Sequence, residues 1–313
     1  MSSRRKIIRH SGTALVALQT GLTQHLFATS KKKEEFPLHQ NNLLGATEVD
    51  AHLWVYASRY PPDWDCTPIL DEVFSDLSYA GYSGVEIMEP ILRHDDAVDR
   101  LKQLQEKHKI ALAGTSYHGD MWNSQEHTKI AEDIDMVTDR LQQAGGKMIG
   151  LSVGDAGRKK TEKELDSQAQ LLSTILKTCA KNNIEANIHN HTYEMEYDMA
   201  DFKGTIERLP ELKLGPDLNW LIRAKVDPVW FIKTYGDRIV YMHIRDQKAD
   251  GKWTEAVGEG ATNFADIAKA LKSIGYNKKA AVELAFEGGF KPTRPLRESW
   301  KISRQYVQKV FGW

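Results

Sequence analysis

Two histidines, His189 and His191, stand two positions apart in a stretch suited to chemistry. The preceding run 184–188 alternates apolar and polar residues, which predicts a buried strand. Because side chains alternate faces along a strand, both imidazoles point the same way. Two imidazoles are costly to bury without partners, and they are useful if a metal ion and a substrate lie in front of them. A hydrogen-bonded histidine pair in a polar loop explains this stretch equally well on its own.

Ionisable residues also stand in or directly after several other apolar runs. Glu283 is the most informative of them, because it interrupts the apolar run 281–285. A carboxylate in so apolar a strand is almost never buried unless it is paired or binds a metal ion. The other members of this set are Glu86, Glu89, His118, Asp120, Glu194, Asp217, His243, Arg245 and Asp246.

A regular alternation of strands and helices must position these residues. The predicted strands cover 51–57, 84–88, 110–116, 147–153, 184–188, 212–218, 239–244 and 280–285. The predicted helices cover 68–80, 95–108, 124–143, 161–182, 199–209, 228–235, 263–274 and 296–311. Eight strand–helix units in about 260 residues have the size and rhythm of an α/β (β/α)₈ TIM barrel. A doubly wound open sheet has no support, since no G-x-G-x-x-G follows the first strand and residues 257–260 are typical of a turn.

In a TIM barrel, chemistry gathers at the C-terminal ends of the strands. Each ionisable residue there also has a structural explanation: Glu86 could pair with an arginine, Asp217 could cap the next helix, and Asp246 could orient His243 or Lys248. Taken together, however, four consecutive strand ends bring His, Asp, His and Glu to one mouth, which is the signature of a divalent metal site. Mixed nitrogen and oxygen ligands suit Mn, Co, Zn, Fe or Mg, and ligand types alone do not choose among these ions.

The N-terminal segment is typical of a targeting signal rather than of a folded domain. Arg4 and Arg5 precede a moderately apolar run, which is the order of a twin-arginine-type export signal. The run is too polar and too short to span a bilayer stably. A basic amphipathic helix or a disordered tail is the alternative. We therefore expect a signal peptide at 1–28, a linker at 29–46, a single barrel domain at 47–313, and a periplasmic or otherwise exported protein.

The composition is that of a folded globular protein, with 41% hydrophobic and 9% aromatic residues among 313. The formal net charge is −1, but residues 1–33 hold seven bases and no acid, so the rest of the chain has 35 bases against 43 acids. Such an acidic body is not expected to bind nucleic acid. Cys66 and Cys179 form no disulfide framework and are expected to be core thiols.

Several short motifs in a fixed order carry a family resemblance, and they cover the chain from about residue 47 to its end. They are Gly84-Val85-Glu86-Ile87, His189-Asn190-His191 with Glu194, Asp217-Leu218-Asn219-Trp220 with Asp227-Pro228, His243-Ile244-Arg245-Asp246, Val257-Gly258-Glu259-Gly260 and Val282-Glu283. This order and spacing resemble the xylose-isomerase-like barrel superfamily, in its sugar phosphate isomerase/epimerase group. The exported form with a His-Asn-His strand resembles secreted members from bacteria that digest glycans and glycosides.

The resemblance implies that His189, Asp217, His243 and Glu283 hold one divalent ion. Many members of the family carry a glutamate at the position of His189, and in the epimerases that glutamate is also one of two catalytic acid/bases. A neutral imidazole bound to a metal ion cannot play that part. His191 is left free to move a proton, and it matches the histidine that is the base in relatives that cleave oxidised glycosides.

The chemistry shared by this group is abstraction of a proton next to a sugar carbonyl, with the metal ion as a Lewis acid. We expect His191 to act as the base with little pKa tuning, and Glu283 as a second catalytic candidate. The other site residues predicted at the mouth fall into two groups. Glu194 and Asp246 are expected to orient imidazoles, and Glu86, His118, Trp220 and Arg245 are candidates for substrate binding. Four aromatic residues could form a sugar-stacking wall or plain core: Trp54, Tyr117, Trp122 and Trp220.

Three functions remain open. The first is a metal-dependent sugar isomerase or epimerase, the second an exported 3-keto-glycoside lyase or hydrolase-like enzyme, and the third a barrel that binds carbohydrate without turnover. The related abasic-site endonucleases are disfavoured, because they need several metal ions and a basic DNA-binding face. The expected partner is a small carbohydrate, with no nucleic acid and no stable membrane span, and an oligomer is possible.

Overall fold

The structure is a computed structural model that describes residues 47–313. The predicted export signal at 1–28 and linker at 29–46 lie outside the described residues. No helix within the described part of the chain is both long and apolar enough to cross a membrane.

A curled sheet of seven named parallel strands forms the centre of the domain. Its spatial order is β5-β4-β3-β2-β1-β7-β6, and every paired neighbour is parallel. Parallel neighbours need long crossover connections, which the intervening helices supply. The TIM-barrel fold class predicted from the sequence is confirmed. The strands are β1 Val49–His52, β2 Gly84–Met88, β3 Ala111–His118, β4 Met148–Ser152, β5 Glu185–Ile188, β6 His243–Ile244 and β7 Ala280–Glu283.

Single bridges, rather than a full strand, connect the two edges of this sheet. Leu214 forms parallel bridges to Ile188 and Ile239, and Asp217 forms one to His243. The prediction of a regular strand over 212–218 is therefore wrong. Pro216 has no N–H to donate to a ladder, and a β-carbon at Gly215 would overlap the side chain of Asn187.

Ten α-helices are described, and those that follow the strands mostly agree with the predicted ranges. Three short 3₁₀ turns accompany them, at 67–69, 89–93 and 236–238. The helices are α1 Trp54–Ala57, α2 Leu70–Ala80, α3 Ala97–His108, α4 His127–Gln143, α5 Glu162–Lys181, α6 Thr192–Arg208, α7 Leu218–Arg223, α8 Pro228–Tyr235, α9 Phe264–Ser273 and α10 Leu296–Phe311.

The first strand is shorter than predicted, because the apolar residues after His52 form helix α1 instead. Tyr56 explains the change. Its ring stacks on that of Trp300, and its hydroxyl donates to Asp76 at 2.8 Å and accepts from the Trp300 indole at 3.1 Å. Tertiary packing thus overrides the strand propensity of these residues. The consequence for the site is that β1 ends at His52, inside the range predicted as strand.

Helix α6 also differs from the prediction, because it starts directly after His191 and is interrupted at its middle. Tyr197, Asp198 and Met199 have left-handed backbone angles, with φ of 52°, 59° and 61°. Non-glycine residues adopt this conformation rarely and at a cost. The predicted helix 199–209 corresponds to the part of α6 beyond this interruption.

Candidate metal centre

Six ionisable side chains are gathered at one end of the sheet, and they come from β1, β2, β6, β7, the residue directly after β5 and the 212–217 segment. The strand register places His52 opposite both Glu86 and Glu283, and Asp217 beside His243. All six are buried, so each needs a partner of its own. The six residues are His52, Glu86, His189, Asp217, His243 and Glu283.

Three of the four predicted ligands form a compact group. His189, Asp217 and His243 each offer a ligand atom, and these atoms all lie within 4.8 Å of one another. The imidazole rings of His189 and His243 are 4.6 Å apart between centroids. Nitrogen and oxygen donors at this spacing suit a divalent transition metal ion.

The fourth predicted ligand, Glu283, reaches the group through His243. The Nε2 atom of His243 lies 2.8 Å from Glu86 Oε2, and its Nδ1 atom lies 2.8 Å from Glu283 Oε2. If Nε2–H donates to Glu86, Nδ1 presents a lone pair to the Glu283 carboxylate and lacks a hydrogen bond. A cation shared by the two atoms, either a proton on Nδ1 or a metal ion, removes the repulsion between their lone pairs, so this geometry is compatible with a metal ion.

The two carboxylate oxygens of Asp217 have different partners. Its Oδ1 atom accepts the backbone N–H groups of Asn219 at 2.7 Å and Trp220 at 3.0 Å, which caps α7. Its Oδ2 atom is buried without a hydrogen bond and lies 3.4 Å from Nη2 of Arg245. The capping explanation and the metal-ligand prediction are therefore compatible.

Arg245 is the cation of this site. Its guanidinium is buried and contacts the carboxylates of Glu283 and Asp217. The same group lies over two indole rings, at 5.3 Å from Trp220 and 5.2 Å from Trp253. Burial lowers the pKa of Arg245, an effect that Asp217 opposes. The guanidinium is thus held between carboxylates and aromatic faces.

His191 lies next to the predicted ligands. Its ring is 5.0 Å from that of His189 and 5.6 Å from that of Trp220. The Tyr193 ring stacks on it, with the phenol oxygen 3.2 Å from Nδ1. Burial lowers the pKa of His191 to about 3, and positive charge at His118 and Arg245 adds to the effect. The expectation of little tuning therefore does not agree with the structure, because the imidazole is far from bulk water.

Two predicted orienting carboxylates bind backbone N–H groups. Glu194 accepts the N–H of His191 at 2.7 Å at the start of α6, and burial raises the pKa of Glu194 to about 8. Asp246 accepts the N–H groups of Gly258 at 2.9 Å and Gly260 at 2.8 Å, and also those of Gln247 and Thr262. These contacts differ from the predicted contacts with imidazoles. They also explain the 257–260 motif, because a β-carbon at Gly260 would overlap the Asp246 carboxylate.

The remaining predicted residues occupy different surroundings. Glu86 binds His243, as described above, and burial of its carboxyl is offset mainly by His243 and His52, so its pKa is lowered. His118 has an exposed side chain at the end of β3. Tyr117 donates its hydroxyl to Asp133 at 2.8 Å. Among the other predicted wall aromatics, Trp54 packs on Trp64 at 5.3 Å, Trp122 is half-buried, and Trp220 lies beside His191.

Sequence patterns did not indicate three residues of this site: His52, Tyr193 and Trp253. The sequence indicates site residues by their position at the end of a predicted strand. His52 does not meet this criterion, because the predicted first strand continues past it to residue 57. Trp253 lies in a loop whose backbone bridges Gln247 in antiparallel fashion, and its indole donates to Asn219 at 3.0 Å. Loop residues have no periodicity from which such a position could be predicted.

Comparisons with known proteins agree with this architecture. The family model described as xylose isomerase-like TIM barrel matches residues 74–308. No curated protein gives a significant sequence match. Among solved structures, a sugar phosphate isomerase/epimerase from Parabacteroides distasonis is similar with a TM-score of 0.67 and 17% identity, over 86% of this chain and 96% of that one.

Two further structures are similar at low identity. D-allulose 3-epimerase from Methylomonas sp., in complex with D-allulose, has a TM-score of 0.68 and 15% identity over 85% of this chain and 97% of that one. The 3-keto-D-glucoside 4-epimerase from E. coli has a TM-score of 0.64 and 14% identity over 83% of this chain and 99% of that one. The family match spans most of the chain, and the chain belongs to the xylose isomerase-like TIM barrel family.

Proposed function

We propose that this protein is a metal-dependent enzyme of the sugar isomerase/epimerase type that abstracts a proton next to a sugar carbonyl. The observation that carries the proposal is the convergence of His189, Asp217 and His243, with ligand atoms within 4.8 Å of one another, beside His191. Structures named as sugar epimerases share the fold, which supports a carbohydrate as the substrate.

His189, Asp217, His243 and Glu283 would hold the metal ion. When bound, a divalent ion supplies Lewis acidity toward the oxygens of a sugar carbonyl and its neighbouring hydroxyl. The charge of the site fits such an ion. Three buried carboxylates, those of Glu86, Asp217 and Glu283, face one guanidinium, which leaves an excess of two negative charges when all three are ionised.

His191 is the proposed base. Burial keeps its imidazole neutral at neutral pH, so a nitrogen lone pair is available to accept the α-proton of the sugar. Tyr193 stacks on the ring and contacts Nδ1, which leaves Nε2 as the atom that moves the proton. The half-buried Trp220 beside it supplies an apolar surface for a sugar ring.

A second candidate function is elimination from an exported 3-keto-glycoside, and one observation favours it. Glu86 is hydrogen-bonded to His243, Glu283 contacts Arg245, and Asp217 caps α7 and faces Arg245, so each carboxylate of this group already has a cationic or N–H neighbour that disfavours its use as a second acid/base. One base suffices for elimination. His191 would remove the proton from C2, a C1–C2 double bond would form, and the glycosidic oxygen would leave C1 and take up a proton. The Arg4-Arg5 leader supports export, which would place glycosides within reach.

Metal analysis tests the proposed site. Asp217→Asn keeps an oxygen for the α7 cap but removes the charged ligand, so we expect about one divalent ion per wild-type chain and at least a tenfold loss of Mn²⁺ affinity in this variant. Asp227→Asn is the matched control, because Asp227 caps α8 as Asp217 caps α7. The Mn²⁺ affinity of Asp227→Asn should equal that of wild type. Equal metal binding by wild type and Asp217→Asn would contradict the site.

Solvent exchange tests the chemistry. Incubation with ketohexoses or with 3-keto-glucosides in deuterated water should place deuterium at the carbon next to the carbonyl, and His191→Gln should abolish this exchange. Release of the aglycone from a 3-keto-glucoside would select elimination over epimerisation. Sugar binding without exchange would leave the barrel as a carbohydrate-binding protein.

A further inference from the structure

The guanidinium of Arg245 occupies the side of the site that a metal ion also needs. It lies 3.4 Å from Oδ2 of Asp217, the oxygen that α7 does not use, and it contacts Oε1 of Glu283. These two carboxylates are the anionic members of the proposed ligand set. Arg245 and a divalent ion therefore share the same two negative charges.

The surroundings of Arg245 prevent it from moving far. Arg245 follows His243 by two residues at the end of β6, so its backbone is fixed beside a proposed ligand. Its guanidinium is buried against Trp220 and Trp253, and its Nε atom has no hydrogen-bond partner in the described part of the chain. Its positive charge thus remains in the site whether or not it pairs with the carboxylates.

A second arginine lies on the same tryptophans without reaching the ligands. Arg223 is 5.2 Å from the Trp220 ring and 4.4 Å from the Trp253 ring. Its guanidinium donates to the carbonyl of Gly251 at 3.0 Å and lies 3.9 Å from Glu287. The chain therefore offers a control arginine with the same aromatic contacts and different carboxylate contacts.

We infer that Arg245 regulates the metal site, because its guanidinium competes with a divalent ion for Asp217 and Glu283. The inference rests on the metal site proposed above. Without metal, the guanidinium compensates the buried carboxylates and keeps the folded barrel stable. Metal binding requires Arg245 to release at least Glu283, and the remaining positive charge repels the ion. The metal ion is therefore held less tightly than its ligands alone would allow, and it exchanges with the solution.

Mn²⁺ titration by calorimetry tests this competition on the intact protein after removal of metal with EDTA. Arg245→Met removes the charge and keeps an extended side chain, so it should bind Mn²⁺ at least tenfold more tightly than wild type. Arg245→Lys keeps the charge and should therefore bind Mn²⁺ more weakly than Arg245→Met, whereas Arg223→Met should stay within about threefold of wild type. In EDTA, Arg245→Met should melt at a lower temperature than Arg223→Met, and Mn²⁺ should raise its melting temperature by more than that of wild type.

The outcomes separate this inference from the metal site itself. If neither wild type nor Arg245→Met binds Mn²⁺, the proposed metal site is wrong, and the proposed competition is then wrong as well. If wild type binds and Arg245→Met binds equally or more weakly, the metal site stands and the competition is refuted. If Arg245→Met does not fold without metal, Arg245→Gln, which keeps a polar contact to the carboxylates, is titrated against the same tenfold threshold.

Discussion

At the scale of single residues, the site depends on which atom of each side chain remains available. His243 directs Nε2 to Glu86 and Nδ1 to Glu283, and Asp217 gives Oδ1 to a helix cap and leaves Oδ2 without a hydrogen bond. In both residues, one atom has a hydrogen bond that fixes the orientation, and the other has no hydrogen-bond partner in the described part of the chain. This division explains why the structural and the functional interpretation of Asp217 are compatible.

Tyr193 orients His191 in the same way. The phenol oxygen lies 3.2 Å from Nδ1, and a hydrogen bond donated by Nδ1–H would leave the lone pair on Nε2. We expect Tyr193→Phe to lower kcat about tenfold with KM nearly unchanged, because the tautomer is lost while the ring stacking remains. Steady-state kinetics measure the effect, and ¹⁵N chemical shifts of His191 report the tautomer. Tyr197→Phe, at an exposed position in the same helix, should change neither kcat nor the His191 tautomer. An unchanged tautomer in Tyr193→Phe would refute the proposed orienting role of Tyr193.

At the scale of elements, Asp246 ties the loop after β6 to the strand end. Its carboxylate accepts four backbone N–H groups from residues 247–262. In Asp246→Asn, the amide nitrogen cannot accept, so two N–H groups lose their partner, and we expect a loss of about 2–4 kcal/mol of unfolding free energy. Urea unfolding measures this loss, and the exposed Asp266→Asn should stay within about 0.5 kcal/mol. Unchanged stability with a large loss of Mn²⁺ affinity would instead support a role at the metal site.

The sequence predicts most helices and strands, but not those whose conformation is determined by tertiary contacts. The helices at 228–235 and 296–311 have the predicted bounds, because their apolar spacing and terminal residues are local signals. The 212–218 segment fails as a strand because a side chain at Gly215 would overlap Asn187 and because Pro216 has no N–H to donate to a ladder. The left-handed turn at 197–199 has no glycine to indicate it. The same reasoning explains which site residues can be predicted. Residues at the ends of predicted strands can be found from the sequence. The position of His52 depends on where β1 ends, and that of Trp253 depends on how its loop folds back.

At the scale of the whole molecule, the buried ionisable groups of the barrel extend from the candidate metal centre along β1. Asp50 precedes His52 by two residues and is buried, with Tyr241 3.5 Å from its carboxylate. A β-carbon at Gly84 would crowd this carboxylate, so the interior is closely packed around it. The barrel thus encloses a carboxyl group that forms no hydrogen bond with any of the proposed ligands.

The pH dependence of stability should reveal this group. Burial raises the pKa of Asp50 to about 7, against the opposing charge of Lys279 and with added repulsion from Glu86 and Glu48. Because the unfolded chain ionises near pH 4 and the folded one near pH 7, the folded state binds the extra proton between these values, and stability falls as pH rises through this window. A shift of this size corresponds to about 4 kcal/mol at most. Asp50→Asn should therefore match wild type at pH 4 within about 1 kcal/mol and exceed it at pH 8 in urea unfolding, whereas parallel stability curves would show that Asp50 is hydrated in the folded protein.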